Sequence, residues 1–208
     1  MNIKKRSSSG FTVIELLVSM GIMIVIMGVV FAGYPRFRSR STLAAVARDV
    51  GLLVREAQVY GLAVKSFSTQ ATIYPPYGVH ISSDNSKELI MFADIVPEGR
   101  TAGVYDSGDG CGGDKTKTEC AERYTINGAV SISKFCVLSG GGQGISVNEN
   151  CDIPELNITF RRPDPEAVIV VDDISERFNG AKIYLRSNNE ADGEKIVRIW
   201  ITGQISIQ

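Results

Sequence analysis

The sequence predicts an α+β fold, in which a long N-terminal helix packs on a C-terminal antiparallel β-sheet domain. Three features predict it: an apolar stretch from Phe11 to Gly33, a stretch with helical periodicity from Leu43 to Val64, and short alternating segments from Tyr77 onward. A helix followed by consecutive strands is the order typical of the α+β class.

Composition narrows the classes of function. Hydrophobic residues make up 44% of the 208 residues and charged residues 22%, which is typical of a folded rather than a disordered chain. The formal net charge is −1, whereas a nucleic-acid-binding domain usually carries a strong basic excess.

The N-terminal apolar stretch predicts a membrane-spanning helix over 11–34. It contains one charged residue, Glu15, and follows a basic, small-polar segment that holds Lys4, Lys5 and Arg6 and ends in Gly10. About 20 apolar residues at ~1.5 Å per residue cross a ~30 Å hydrocarbon core.

Two other interpretations of this stretch remain open. Cleavage by signal peptidase after Val30-Phe31-Ala32, before Gly33, would release a soluble protein, although the apolar region is longer than the ~7–15 residues of an ordinary signal peptide. The stretch could also be a plain uncleaved anchor. Neither interpretation explains the carboxylate of Glu15.

The residues Gly10, Phe11, Thr12 and Glu15, followed by Leu16-Leu17-Val18, resemble the class III signal of type IV prepilins and type II secretion pseudopilins. The resemblance implies that prepilin peptidase removes residues 1–10 by cutting after Gly10, methylates the new amino group on Phe11, and leaves Glu15 as the fifth mature residue. It also implies a protein of the inner membrane, with its domain outside the cytoplasm, that joins other pilin subunits through an assembly platform into a periplasmic or extracellular filament.

Elementary electrostatics agrees with an assembly role for Glu15. A carboxylate within a membrane helix costs roughly 2.5–3.5 kcal/mol and therefore usually marks function. The Phe11 amine of a neighbouring subunit at ~4 Å would attract it by about 4 kcal/mol at an effective dielectric near 20, before desolvation is subtracted. The alternative is that Glu15 only reaches back to the lipid headgroups.

The second predicted helical segment is 35–66, an amphipathic continuation after a bend or loosening at Pro35. Its apolar residues recur at steps of three and four, which predicts packing on a sheet; a coiled coil is the alternative. These residues are Leu43, Val46, Val50, Leu53, Ala57, Tyr60 and Val64.

Residues 67–208 are predicted to form the β-rich domain. Strands are expected at Tyr77–Ile81, Leu89–Ile95, Val130–Val137, Leu156–Phe160, Val168–Val171, Ile183–Leu185 and Ile196–Ile201, with hairpin-type turns at Asn127-Gly128 and Asn179-Gly180. This half, together with the amphipathic helix, resembles the H-type minor pseudopilins and fimbrial T-like minor pilins, through Leu43–Val64, Tyr77-Gly78-Val79 and Leu89–Asp94.

Four cysteines, Cys111, Cys120, Cys136 and Cys151, lie beyond the membrane segment. An even number in an exported domain favours two disulfides, with four free thiols as the alternative, and the spacing is not that of a zinc site. Of the three pairings, Cys111 with Cys120 and Cys136 with Cys151 is favoured, because each pair closes a short segment with little apolar content.

No cofactor is expected. Asp106, Asp109 and Asp114 lie in a glycine-rich segment and offer oxygen atoms to calcium, which major pseudopilins of the family bind in a loop, but their spacing is not that of an EF-hand. A solvated loop closed by a disulfide is the favoured interpretation.

The sequence predicts a structural protein and not an enzyme. His80 is the only histidine, no serine lies in a GxSxG elbow, and the glycine-rich segment at 140–144 lacks the lysine of a phosphate loop. The alternative function is a DNA-binding minor pilin, for which Arg161-Arg162 and the arginines at 36, 38 and 40 are the basic clusters. Loss of the leader's three positive charges would change the formal charge from −1 to −4, which opposes phosphate binding.

Overall fold

The computed structural model describes residues 10–63, 65–67, 74–95, 101–106, 111, 118–140, 148–171, 178–188 and 193–208, with only the backbone at Pro35 and Arg36. The chain divides into two units, Met1–Arg38 and Ser39–Gln208. One helix, α1 (Val13–Leu62), contributes residues to both units, and ten strands follow it in the second. The predicted α+β class is confirmed.

The ten strands form two antiparallel sheets. They are β1 (Tyr77–Ser82), β2 (Glu88–Ala93), β3 (Cys120–Thr125), β4 (Val130–Ser139), β5 (Asn148–Asn150), β6 (Glu155–Phe160), β7 (Ala167–Val170), β8 (Gly180–Ser187), β9 (Glu194–Trp200) and β10 (Ile205–Ile207). The first sheet has the order β3-β2-β1-β6-β7 and the second the order β10-β9-β8-β4-β5.

All seven predicted strands are present, as β1, β2, β4, β6, β7, β8 and β9. Most of them are rich in β-branched and aromatic residues, and alternate side chains face the core, as the pleat of a strand requires. In β8, for example, Ala181, Ile183 and Leu185 are fully buried.

The core lies where α1 meets both sheets. The buried apolar side chains of α1 share one cluster with the inward side chains of both sheets, and they are those of Leu43, Val46, Ala47, Val50, Leu53, Val54 and Ala57. Five of the seven predicted apolar positions of the helix are therefore core residues, Tyr60 is partly buried, and Val64 lies outside the described residues. Because α1 contacts two sheets and not one, its apolar face is wider than predicted and also includes Ala47 and Val54.

Both hairpin predictions are wrong. Asn127-Gly128 does form a turn, with φ of 84° at Gly128, but it connects β3 of the first sheet to β4 of the second. Gly180 is the first residue of β8, and a Cβ there would lie 2.6 Å from the carbonyl oxygen of Ile199. Glycine at 180 is thus explained by the close approach of two paired strands and not by a turn.

Candidate processing and assembly site

The predicted processing and assembly residues lie at the start of α1. Gly10 and Phe11 precede the helix and are exposed, and the Phe11 side chain is 80% accessible. The helix begins at Val13, directly after Thr12. Phe11, which precedes the helix, and Glu15, in its first turn, are thus four residues apart.

Thr12 is the N-cap of α1. Its hydroxyl oxygen accepts a hydrogen bond from the backbone N–H of Glu15 at 3.3 Å, and its carbonyl accepts the first helical bond, from the N–H of Leu16 at 3.2 Å. Such a cap satisfies one of the four N–H groups that a helix leaves unpaired at its N-terminus. The cap therefore fixes where the helix starts relative to the predicted cleavage point.

Glu15 lies in the first turn of α1, where the helix dipole favours a negative charge. Thr12 and Glu15 also have the Thr-x-x-Glu spacing of a capping box. The prediction of Glu15 from sequence rested on its position in an apolar stretch and missed this local role, although the Thr-x-x-Glu pattern was the signal that could have shown it.

The helix beyond Glu15 is apolar and exposed up to Phe31. Its most apolar 18 residues have a mean hydropathy of 2.6, and none of them is buried. Within this segment the Ser19 hydroxyl donates a hydrogen bond to the backbone carbonyl of Glu15 at 2.7 Å. Length and composition suffice to cross a membrane.

Residues 5–31 match the family model described as the prokaryotic N-terminal methylation motif. The chain carries a type IV pilin-like N-terminus. The motif includes Gly10, Phe11 and Glu15, and it supports the type IV pilin-like and pseudopilin family, whose members are structural subunits. Neither a curated protein nor a solved structure matches the chain significantly.

Two disulfides cross-link the C-terminal unit, joining Cys111 to Cys120 and Cys136 to Cys151. These are the two pairs that the spacing favours. Cys136 is fully buried in β4, and Cys151 directly follows β5, so the second disulfide closes the segment between two paired strands. Disulfides persist in oxidising compartments.

Of the three calcium candidates, only Asp106 lies in the described part of the chain; Asp109 and Asp114 lie outside it. Among the described residues, the one group of three acidic, cysteine or histidine side chains with ligand atoms within 4.8 Å of one another is Cys136, Glu149 and Cys151. Because its two cysteines form a disulfide, this group cannot offer thiolates to a metal.

Two buried carboxylates that the sequence did not reveal lie near Asp106. The Glu119 carboxylate accepts hydrogen bonds from the backbone N–H groups of Asp106 at 2.9 Å and Ile95 at 3.2 Å, and Asp94 accepts one from Gly103 at 3.0 Å. Burial raises the pKa of Glu119 to about 7 and also raises the pKa of Asp94. These carboxylates hold the backbone at Ile95, Gly103 and Asp106.

The remaining candidate residues are the histidine and the two arginine clusters. His80 is buried in β1, where its Nδ1 lies 2.9 Å from the Asn157 side-chain oxygen. Arg161 and Arg162 are exposed, and Arg162 donates to the carbonyl of Tyr74 at 2.8 Å. The second basic cluster lies in α1, where Arg38 and Arg40 are exposed.

Proposed function

We propose that this protein is a structural subunit of a type IV pilus or type II secretion pseudopilus, cleaved after Gly10 and N-methylated at Phe11. The observation that carries the proposal is the methylation motif at residues 5–31, which contains both residues and Glu15. The exposed Gly10 and Phe11, just ahead of a capped helix, would be accessible to a peptidase.

Glu15 directs assembly in this proposal. In the mature protein the Phe11 amine is positive, and the Glu15 carboxylate lies in the following turn. A subunit that enters the filament places its Glu15 against the Phe11 amine of a neighbour, because pairing removes an uncompensated charge from an apolar environment. The pair then sets the axial register between subunits.

Two glycine variants test the processing step against the signal-peptidase alternative. Gly10→Val should leave the leader attached, because it alters the predicted cleavage point. Gly33→Val alters the alternative site after Ala32 and should not affect processing; a Cβ at either position meets no atom within 4 Å, so both are matched in packing. Processing that is lost only in Gly33→Val would overturn the proposal. Both variants are produced with a prepilin peptidase and compared by intact mass.

The finer assignment is a minor subunit of the H-type pseudopilin or fimbrial T-like kind. Its partners would be other pilin subunits, the prepilin peptidase and an inner-membrane assembly platform. Two disulfides and a single apolar segment support placement of Ser39–Gln208 outside the cytoplasm. A filament fraction that contains the processed chain in small amounts relative to a major subunit would agree with this assignment.

The alternative function, DNA binding during uptake, rests on the exposed Arg161 and Arg162. A gel shift with the full chain in detergent, at two salt concentrations, separates the alternatives. Salt-dependent retention that Arg161→Ala/Arg162→Ala abolishes would favour the DNA-binding function. We expect no retention, because the mature chain has a formal charge of −4.

A further inference from the structure

Three of the large exposed apolar side chains of the C-terminal unit, those of Leu52, Val59 and Ile207, lie along α1 and β10. In the described part of Ser39–Gln208, four large apolar side chains are exposed: Leu52 (65%), Val59 (50%), Ile207 (44%) and Tyr74 (41%). Leu52 and Ile207 line the same groove, between α1 and β10, and Val59 lies two helical turns beyond Leu52. Apolar surface collected in this way commonly marks an interaction site.

The groove has a volume of about 540 Å³ and is lined by the helix on one side and the end of the second sheet on the other. Gly51 allows the close approach of these two walls, since a Cβ there would lie 3.1 Å from Cδ1 of Ile207. Arg48, Leu52 and Arg55 are spaced four and three residues apart, so they form one stripe along the helical wall.

The sheet wall of the groove is an open strand edge. β10 is the last strand of the second sheet, and among the described strands it pairs with β9 alone. Gln208 exchanges both backbone hydrogen bonds with Ile196, and the Gln204 carbonyl accepts one from Trp200. Because bonded and non-bonded pairs alternate in an antiparallel ladder, the N–H and C=O groups of Ile205 and Ile207 point away from β9, toward the open edge.

Two arginines on the helical wall of the groove form no salt bridge with a described residue. In the described part of the chain, neither Arg48 nor Arg55 has a carboxylate within 4.0 Å, and Arg55 donates to the neutral side-chain oxygen of Gln58. An apolar floor between two guanidinium groups favours a ligand with an apolar centre and a carboxylate on each side.

We propose that this groove binds an extended acidic segment of a partner protein, which adds to the second sheet as a strand beside β10. Main-chain hydrogen bonds to Ile205 and Ile207 would hold the strand, and its inward side chains would lie on Leu52 between Arg48 and Arg55. Addition of a strand to an exposed edge is a recurring mode of peptide recognition.

The spacing of the arginines defines the sequence that fits. Arg48 and Arg55 are separated by about 10.5 Å of helical rise. Inward residues of a strand that are four apart are separated by about 13 Å, a difference that flexible arginine side chains can bridge. The preferred segment therefore has the order acidic-x-apolar-x-acidic. This recognition is independent of leader processing.

A labelled peptide titrated with the full chain in detergent tests the proposal. The probe has seven residues, with Asp at the second and sixth positions, Val at the fourth and Thr elsewhere; a control probe has Lys in place of both Asp. We expect saturable binding of the acidic probe, weakened at least about tenfold by Arg48→Glu/Arg55→Glu and by Leu52→Asp. The Lys probe should bind only to the double glutamate variant. The matched controls Arg161→Glu and Tyr74→Asp change exposed residues elsewhere and should leave binding unchanged.

Amide hydrogen exchange distinguishes strand addition from contact through side chains alone. Bound acidic probe should slow exchange at the N–H groups of Ile205 and Ile207 by about tenfold or more, since these would gain hydrogen bonds. The N–H of Gln208 is already bonded to Ile196 and should not change. Absence of binding at millimolar probe, equal binding of both probes, or binding without slower exchange at Ile205 and Ile207 would each overturn the proposal.

Discussion

The hydroxyl of Thr12 accepts a hydrogen bond from the backbone N–H of Glu15 at 3.3 Å, so the residue proposed to guide assembly also belongs to the cap of α1. An N-cap typically stabilises a helix by about 1 kcal/mol. Any variant at Glu15 can therefore act on the local helix, on the pairing between subunits, or on both, and the two effects must be separated.

The first prediction concerns the charge of Glu15. Glu15→Val and Glu15→Gln should both be cleaved and inserted into the membrane, because loss of the charge lowers the cost of insertion. Both should enter filaments at least about tenfold less than wild type, as expected when roughly 1.4 kcal/mol or more of attraction is lost. Incorporation is measured beside wild-type protein in the same cells.

Thr12→Val is the matched control, because it removes the cap and leaves the charge. It should lose the hydroxyl acceptor for the Glu15 N–H but retain most incorporation. Normal incorporation of Glu15→Gln combined with failure of Thr12→Val would show that the helix start matters and the charge does not.

Most of the fold could be predicted from sequence, because its periodicity is strong. The apolar stretch and the recurrence at three and four residues indicated α1, and alternation indicated seven strands. The three missed strands lack that pattern: β3 is a charged edge strand, β5 consists of Asn148, Glu149 and Asn150, and β10 has three residues. Such strands form because a neighbour offers hydrogen bonds and not because of their own side chains.

The candidate sites also differ in whether a local sequence pattern reveals them. Gly10, Phe11 and Glu15 lie within six residues, so a motif reveals them. The groove between Arg48 on α1 and Ile207 on β10 joins parts of the chain that are far apart in sequence, and only the fold brings them together. The buried position of Glu119 likewise depends on backbone groups of Ile95 and Asp106, which no local pattern indicates.

The second prediction concerns the disulfides. Nonreducing peptide mapping should yield one crosslink of Cys111 with Cys120 and one of Cys136 with Cys151. Cys136→Ala/Cys151→Ala should lower the free energy of unfolding by roughly 3 kcal/mol, since the bond closes a segment of 15 residues. The comparison variant is Cys111→Ala/Cys120→Ala, which removes the bond across a shorter segment of 9 residues. Four free thiols, or a crosslink of Cys111 with Cys151, would contradict the structure.

The third prediction is a pH dependence that arises from Glu119. Its pKa is about 7 in the folded protein and 4.5 in an unstructured chain, because burial disfavours the charged form. The folded state therefore binds the proton more tightly, and this stabilisation is complete below pH ~4.5 and disappears as the pH rises through about 7. The free energy of unfolding should be about 2 kcal/mol larger at pH 5 than at pH 8.

Urea unfolding of the full chain in detergent, followed by the fluorescence of Trp200, measures this difference, since Trp200 is the only tryptophan. Glu119→Gln removes the titrating group and should flatten the profile between pH 5 and pH 8. Burial also raises the pKa of Asp94, so its contribution to stability has the same sign. An unchanged slope in Glu119→Gln would show that another group is responsible.

The central claim is that the chain is a processed pilin-like subunit, and the N-terminus of the protein extracted from membranes tests it most directly. Mass spectrometry should find a mature chain that begins at Phe11 and carries one additional methyl group on its amine. A chain that begins at Gly33, or one that retains Met1 and the leader in the presence of prepilin peptidase, would contradict the account.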